Sequence, residues 1–287
     1  MNLEELTREV RRLLRGQDVL FFLGAGTSAG TQQERAADEG LPLGSELAKA
    51  IASEFYVDAQ GGDLRKTASV AARKTSTAAV KRFVAEEVSD RSRSTLRVHR
   101  ALARVRPPLV VTTNYDDLYE TALRELDENP AKVVREEDLV HLPRQRPKVV
   151  KLHGEVESPN SLTLTGEDYL DWEANVEGLF VDVTAEFQRS SCVFVGYSLA
   201  DENLRQVISF VRKRLSQYAP KHYALVHRVD EGTEAEFGDS VQFVEGDATG
   251  FLEDLAERWE QRRHWGLYLG SCGDLKAAGG TYSRQKW

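Results

Sequence analysis

Apolar runs separated by polar turns set the rhythm of this chain. Val19-Leu20-Phe21-Phe22-Leu23 has no polar position, the pattern of a strand buried on both faces. The stretches 109–113, 148–152, 192–196 and 222–227 read the same way, and Val241-Gln242-Phe243-Val244 reads as a weaker strand. Between them the spacing turns helical. Leu3, Leu6, Val10, Leu13 and Leu14 predict an amphipathic helix over 3–15; Leu204, Val207, Ile208, Val211 and Leu215 predict another over Asp201–Leu215. Such alternation predicts an α/β fold, a mainly parallel sheet with helices on both faces.

The first and second strands are separated by about eighty residues without a strand pattern, far more than a usual crossover. Helical stretches near 44–56, 63–90 and 95–104 make this a helical insertion subdomain, at about 31–107, leaning over the carboxyl edge of the sheet. A second helical excursion, about 166–190, carries Tyr169, Trp172, Phe180 and Phe187. One domain over 1–264 is expected, followed by a Gly-, Ser- and Lys-containing tail at 265–287.

Candidate chemistry gathers at the strand ends, where open α/β sheets bind ligands. The first strand runs into Gly24-Ala25-Gly26-Thr27-Ser28-Ala29-Gly30, a Rossmann-like turn. Its first glycine permits a tight turn, and its second lets backbone N–H groups approach a diphosphate. Glycine turns after strands also serve as plain connectors, so the other strand ends must decide. These are Thr113-Asn114-Tyr115-Asp116-Asp117, Lys151-Leu152-His153-Gly154, Gly196-Tyr197-Ser198 and Gly246-Asp247-Ala248-Thr249-Gly250. Asn114 with Asp117, Ser198 with Asp201, and Thr165 with Asp168 are also the spacing of ordinary helix caps. His153 leaves a buried strand beside a glycine with no obvious helix to cap, which favours a functional imidazole.

Charge and cysteine narrow the classes. The 287 residues carry a formal net charge of −8, so local donors must hold any anionic ligand, and direct nucleic-acid binding is not expected. The two cysteines, Cys192 and Cys272, form no CxxC pair, and no histidine pair has metal-ligand spacing with a carboxylate, so no metal is assigned. The start of the sequence lacks the pattern of a signal peptide, and no run approaches the ~20 apolar residues of a membrane span. A cytoplasmic protein without membrane contact is expected.

Taken in order, Gly24-Ala25-Gly26-Thr27-Ser28, Thr113-Asn114-Tyr115-Asp116, Leu152-His153-Gly154 and Gly196-Tyr197-Ser198 resemble the sirtuin-like family, over about 18–262. The resemblance implies an NAD-binding Rossmann-like domain. It implies Gly24, Ala25 and Gly26 at the diphosphate, Thr27 and Ser28 also binding the cofactor, and Asn114 and His153 at the nicotinamide ribose. Gly196 and Ser198 would then lie near the adenosine half, and Asp247 and Ala248 near the adenine. Protein-deacylating sirtuins carry four zinc cysteines that are missing here, as is their Pro-Asp-Phe-Arg stretch. Glu39-Gly40-Leu41-Pro42-Leu43-Gly44-Ser45-Glu46-Leu47, Leu162-Thr163-Leu164-Thr165 and Asp168-Tyr169 are instead similar to the bacterial antiphage-defence branch. That branch implies hydrolysis of NAD to ADP-ribose and nicotinamide, with NAD as substrate. It also implies a homo-oligomer, or a partner protein such as a HerA-type DNA translocase.

The expected catalytic residues are His153 as proton acceptor, Asn114 fixing water or ribose hydroxyls, and Asp116 stabilising the developing cation or orienting its neighbours. Two other readings stay open: an NAD-dependent protein deacylase, and a non-catalytic module that senses NAD or ADP-ribose.

Overall fold

The computed structural model describes residues 1–37, 40–91, 94–141, 147–175, 177–197, 205, 208, 215, 218–229 and 231–261. Helix α1 (Leu3–Gly16) leads; Asn2 and Glu5 close a reciprocal capping box on it, and Gln17 ends it in the left-handed region. Strand β1 (Val19–Leu23) follows, buried throughout. Helices α2 (Ala25–Ala29), α3 (Gln32–Ala36), α4 (Gly44–Phe55), α5 (Leu64–Lys74), α6 (Thr77–Arg91) and α7 (Arg97–Val105) then fill the long gap before β2 (Leu109–Thr112). Next come α8 (Leu118–Arg124), β3 (Ala131–Val133), β4 (Lys148–Lys151), α9 (Gly166–Asn175), α10 (Glu177–Arg189) and β5 (Ser191–Val195). After β6 (His222–Val226) and a helix at Glu231–Phe237, β7 (Val241–Glu245) closes the sheet. A last helix occupies 248–261.

Among the described residues seven strands form one sheet, in the order β3-β4-β2-β1-β5-β6-β7, and every pairing is parallel. Strand β1 is central, with Phe22 opposite Val111 of β2 on one side and Phe194 of β5 on the other. The chain builds one half of the sheet through β2, β3 and β4, then returns beside β1 to build the other. That reversal creates the switch point at which open α/β sheets hold ligands.

The period-two alternation of the strands divides the core. Val19, Phe21 and Leu23 face α1, α7, α8 and the last helix, meeting Leu6, Val10, Leu102, Leu123 and Leu252. Leu20 and Phe22 face the opposite layer with Val183 and Phe187 of α10 and with Phe194. Of the helix read at Asp201–Leu215 only scattered residues are described; Ile208 belongs to this second cluster and Leu215 packs on it.

Helices α4, α5 and α6 have a separate apolar cluster of their own: Leu47, Ile51, Ala68, Ala71, Val80 and Val84, closed by Leu162 and Leu164. Helix α7, placed within the insertion by spacing alone, packs instead on the sheet through Val98, Leu102 and Val105. The side chains of Trp172 and Phe180, Ser198, and the tail at 265–287 lie outside the described residues. Among the described residues no helix is long and apolar enough to cross a membrane.

Candidate active site at the carboxyl edge of the sheet

The turns after β1, β2, β4 and β5 open on one cavity of about 470 Å³. Its polar wall includes Ala25, Gly26, Ser28, Asn114, Asp116, His153 and Gly196. Its apolar wall comes from Leu41, Leu43 and Leu47, Leu64 of α5, Val88 of α6 and Tyr169 of α9. Residues of α4, α5 and α6 therefore lie over the sheet edge.

The glycine turn has two causes to be bare. Gly26 donates its N–H to the Gly196 carbonyl at 2.9 Å, and a Cβ on Gly26 would come within 2.8 Å of that oxygen. Gly196 itself has φ of 63°, the left-handed region that only glycine enters at no cost. The turns after β1 and β5 are thus interlocked backbone to backbone. Close approach within the protein requires glycine here, beside any approach by a diphosphate. Thr27 turns inward, its Oγ1 donating to the Gly24 carbonyl at 2.7 Å, so it braces the turn rather than lining the cavity.

Asn114 spans the two halves of the polar wall. Its Nδ2 donates to the Gly24 carbonyl at 3.1 Å and to the hydroxyls of Ser28 and Thr27 at 3.1 and 3.3 Å. Its Oδ1 is buried and has no hydrogen-bond partner, an acceptor ready for a ligand hydroxyl or a water. His153 is buried at 4% exposure. Its ring meets that of Tyr169 edge-to-face, with centroids 5.4 Å apart and planes at 73°. The Arg65 guanidinium lies 5.4 Å from the centroid on the face of that same Tyr169 ring. A cation over the face and a ring packed at a steep angle both suit the quadrupole of a tyrosine.

Asp116 takes the capping role that spacing offered to Asn114. Its Oδ1 accepts from Leu118 N at 3.1 Å, whereas Asp117, at the cap position of α8, makes no cap bond and accepts from Thr121 and Arg124. Thr165 and Asp168 do form the reciprocal cap that their spacing predicts. Asp168 also meets Lys81 at 2.5 Å, joining α9 to α6 above the cavity. Burial resists ionisation of Asp168, but the Lys81 and Thr165 donors outweigh it and hold its carboxyl below the usual range.

Two residues that spacing did not single out lie behind the polar wall. Lys151 is fully buried, with its ammonium donating to the Asp116 carbonyl and 3.2 Å from the Glu120 carboxylate. Burial pushes the Glu120 carboxyl up, with the Lys151 charge pulling the other way. A lysine in the strand Lys148-Val149-Val150-Lys151, followed two residues later by the histidine, was the available signal.

Asp247 and Ala248 are not brought into this cavity. They follow β7, three strand spacings from β1, roughly 14 Å across the sheet. Asp247 caps the last helix by accepting from Gly250 N at 2.6 Å, and Ala248 packs against the first core cluster. No group of His, Cys, Asp and Glu among the described residues is placed to hold a metal ion.

Comparison with known proteins agrees with this geometry. Residues 108–243 match the family model of the SIR2-like domain. The NAD(+) hydrolase ThsA of Cytobacillus dafuensis is 26% identical over 229 residues, covering 79% of this chain and 44% of the relative. ThsA of Bacillus cereus (strain MSX-D12) is 27% identical over 267 residues, covering 88% and 51%. Defense-associated sirtuin 2 of Bacillus subtilis is 28% identical over 119 residues, covering 40% and 12%. The chain thus spans about half the length of the ThsA proteins it matches. A solved structure from work on the mechanism and regulation of Sir2 enzymes superposes with a TM-score of 0.54 at 16% identity, covering 90% of this chain and 98% of that one. At that identity the likeness is one of fold. The chain thus has the parallel-sheet fold of Sir2 enzymes, and its residues 108–243 are similar to the SIR2-like domain.

Proposed function

We propose that this chain hydrolyses NAD at the nicotinamide–ribose bond, releasing nicotinamide and ADP-ribose, in antiphage defence. The observation that carries the reading is the meeting of His153, Asn114 and the glycine turn on one cavity at the switch point of the sheet. Likeness to proteins named NAD(+) hydrolases and defense-associated sirtuin supports the same reading.

The chemistry follows from the bond. Breaking it leaves the electron pair on the ring nitrogen, so nicotinamide departs neutral and needs no acid. Positive charge develops on the ribose, as in glycoside hydrolysis. Water then adds to that carbon, and its proton passes to the imidazole of His153, or to it through a ribose hydroxyl. The unpartnered Oδ1 of Asn114 suits an acceptor for that water or for a hydroxyl. Asp116 adds negative charge to the same wall, which favours a cationic ribose. Ala25, Gly26, Ser28 and Gly196 fit the diphosphate side, with Gly24 and Thr27 bracing it from behind. Ser198, Asp247 and Ala248 keep the adenosine roles that the resemblance implies. NAD is substrate here, and no metal is required by this scheme.

Free turnover would empty a cell of NAD, so activity is gated by assembly, either of several copies or with a partner such as a HerA-type translocase. The purified full chain is incubated with NAD over a range of protein concentrations, and nicotinamide is quantified. Release that rises more steeply than protein concentration is the expected result. Tight NAD binding with no release at any concentration, alone or with the partner, would replace hydrolysis by sensing.

A further inference from the structure

Lys151 has no contact with solvent at all, at 0% exposure. It ends β4, two positions before His153. Its ammonium donates to the main-chain carbonyl of Asp116 and to the carboxylate of Glu120 on α8, which is buried in turn. Two elements are tied together by this one side chain just behind the polar wall. One is the strand that delivers His153; the other is the loop that delivers Asn114 and Asp116.

Stability is a poor reason for a lysine at such a position. A buried ion pair is often matched or exceeded by apolar side chains of the same volume. What an apolar pair cannot do is donate to a carbonyl and so fix a loop. The Asp116 carbonyl lies between the two site residues and the first turn of α8, so holding it limits how far Asn114 can drift from His153.

We propose that Lys151 is a positioning residue: its bond to the Asp116 carbonyl holds the Asn114–Asp116 loop in register with His153. The kinetic side of this proposal rests on the reading of the cavity as an NAD-cleaving site; the structural side does not.

Full-length Lys151→Met and the double variant Lys151→Met/Glu120→Leu test it. The single change strands a buried carboxylate and is expected to lower stability. The double change removes both charges, and its urea midpoint is expected to return close to that of the wild type. Backbone hydrogen exchange of 114–118 is nonetheless expected to run about tenfold faster in the double variant, a local loosening. Its kcat for nicotinamide release is expected to fall about 10–10²-fold with KM little changed, the mark of misplaced rather than missing groups. Glu120→Gln keeps the lysine-to-carbonyl bond and is expected to leave that exchange at the wild-type rate, which guards against a double variant that does not fold.

Wild-type loop exchange in a stable double variant would overturn the proposal, as would faster loop exchange in Glu120→Gln. If the wild-type chain releases no nicotinamide, the exchange result still decides the role of Lys151, and the NAD-cleaving reading alone falls.

Discussion

The carboxamide of Asn114 donates to the main-chain carbonyl of Gly24 across 3.1 Å, tying the loop after β2 to the turn after β1. A carbonyl oxygen can only accept, so this contact places the nitrogen of the amide on the turn side. The oxygen is left buried on the other side without a partner. One side chain thus serves as both brace and acceptor. Asn114→Asp sets a carboxylate oxygen against the Gly24 carbonyl. It is expected to cost about 1–3 kcal/mol of stability, read by urea denaturation, and to reduce nicotinamide release by at least ~10²-fold.

His153→Ala separates chemistry from fold. Its ring is buried against Tyr169 and lines the cavity, and it is the candidate proton acceptor. Nicotinamide release is expected to drop about 10²–10⁴-fold while far-UV circular dichroism stays that of the wild type. Undiminished turnover would remove the imidazole from the reaction.

Gly196→Ala tests the interlocked turns. The added Cβ would stand 2.4 Å from Thr27 N on a backbone whose φ is 63°. A loss of at least about 2 kcal/mol is expected from left-handed strain and the clash together. The measurement is chemical denaturation. Loss of NAD affinity should accompany it, read by calorimetry, because the same turn forms part of the cavity wall.

Acid lability should come from two interior histidines. Burial lowers both His99 and His222 to about 4, from an ordinary value of 6.5. In His99 the charges of Asp116 and Glu34 oppose that burial without overcoming it. Between pH 6.5 and 4 the unfolded chain binds these protons and the folded chain does not. Stability is therefore complete above the unfolded value and declines as pH falls, by about 1.4 kcal/mol per unit for each histidine. His99 Nδ1 has no hydrogen-bond partner, so His99→Leu removes the proton site without stranding a donor to that atom. Urea midpoints at pH 7, 6 and 5 are expected to fall less steeply in His99→Leu than in the wild type. Parallel slopes would remove His99 from the acid limb.

The buried strands were plain in the sequence because a central parallel strand such as Val19–Leu23 has no solvent face, and its apolar run is unbroken. Ala131–Val133 escaped for the opposite reason. It is a three-residue edge strand after Pro130, with one buried side chain, and carries almost no pattern. The cavity lining was legible where a polar residue lies two positions past a central strand, as Asn114 and His153 do. Asp247 follows a strand too, but the strand is peripheral, and order within a sheet cannot be read from order along a chain. Tyr169 reaches His153 from a helix through tertiary packing, and Lys151 acts from behind the wall, so neither contact has a local signature.

Helices α4, α5 and α6 shield most of their oily surface by clasping one another. Leu162 and Leu164, on the segment after His153, complete that shelter, so drawing the three helices off would wet it. The canopy over the cavity is thus fastened to the segment that follows the imidazole, by this apolar seam and by the Lys81–Asp168 pair. A second protein pulling on that canopy would be felt beside His153 without ever touching it.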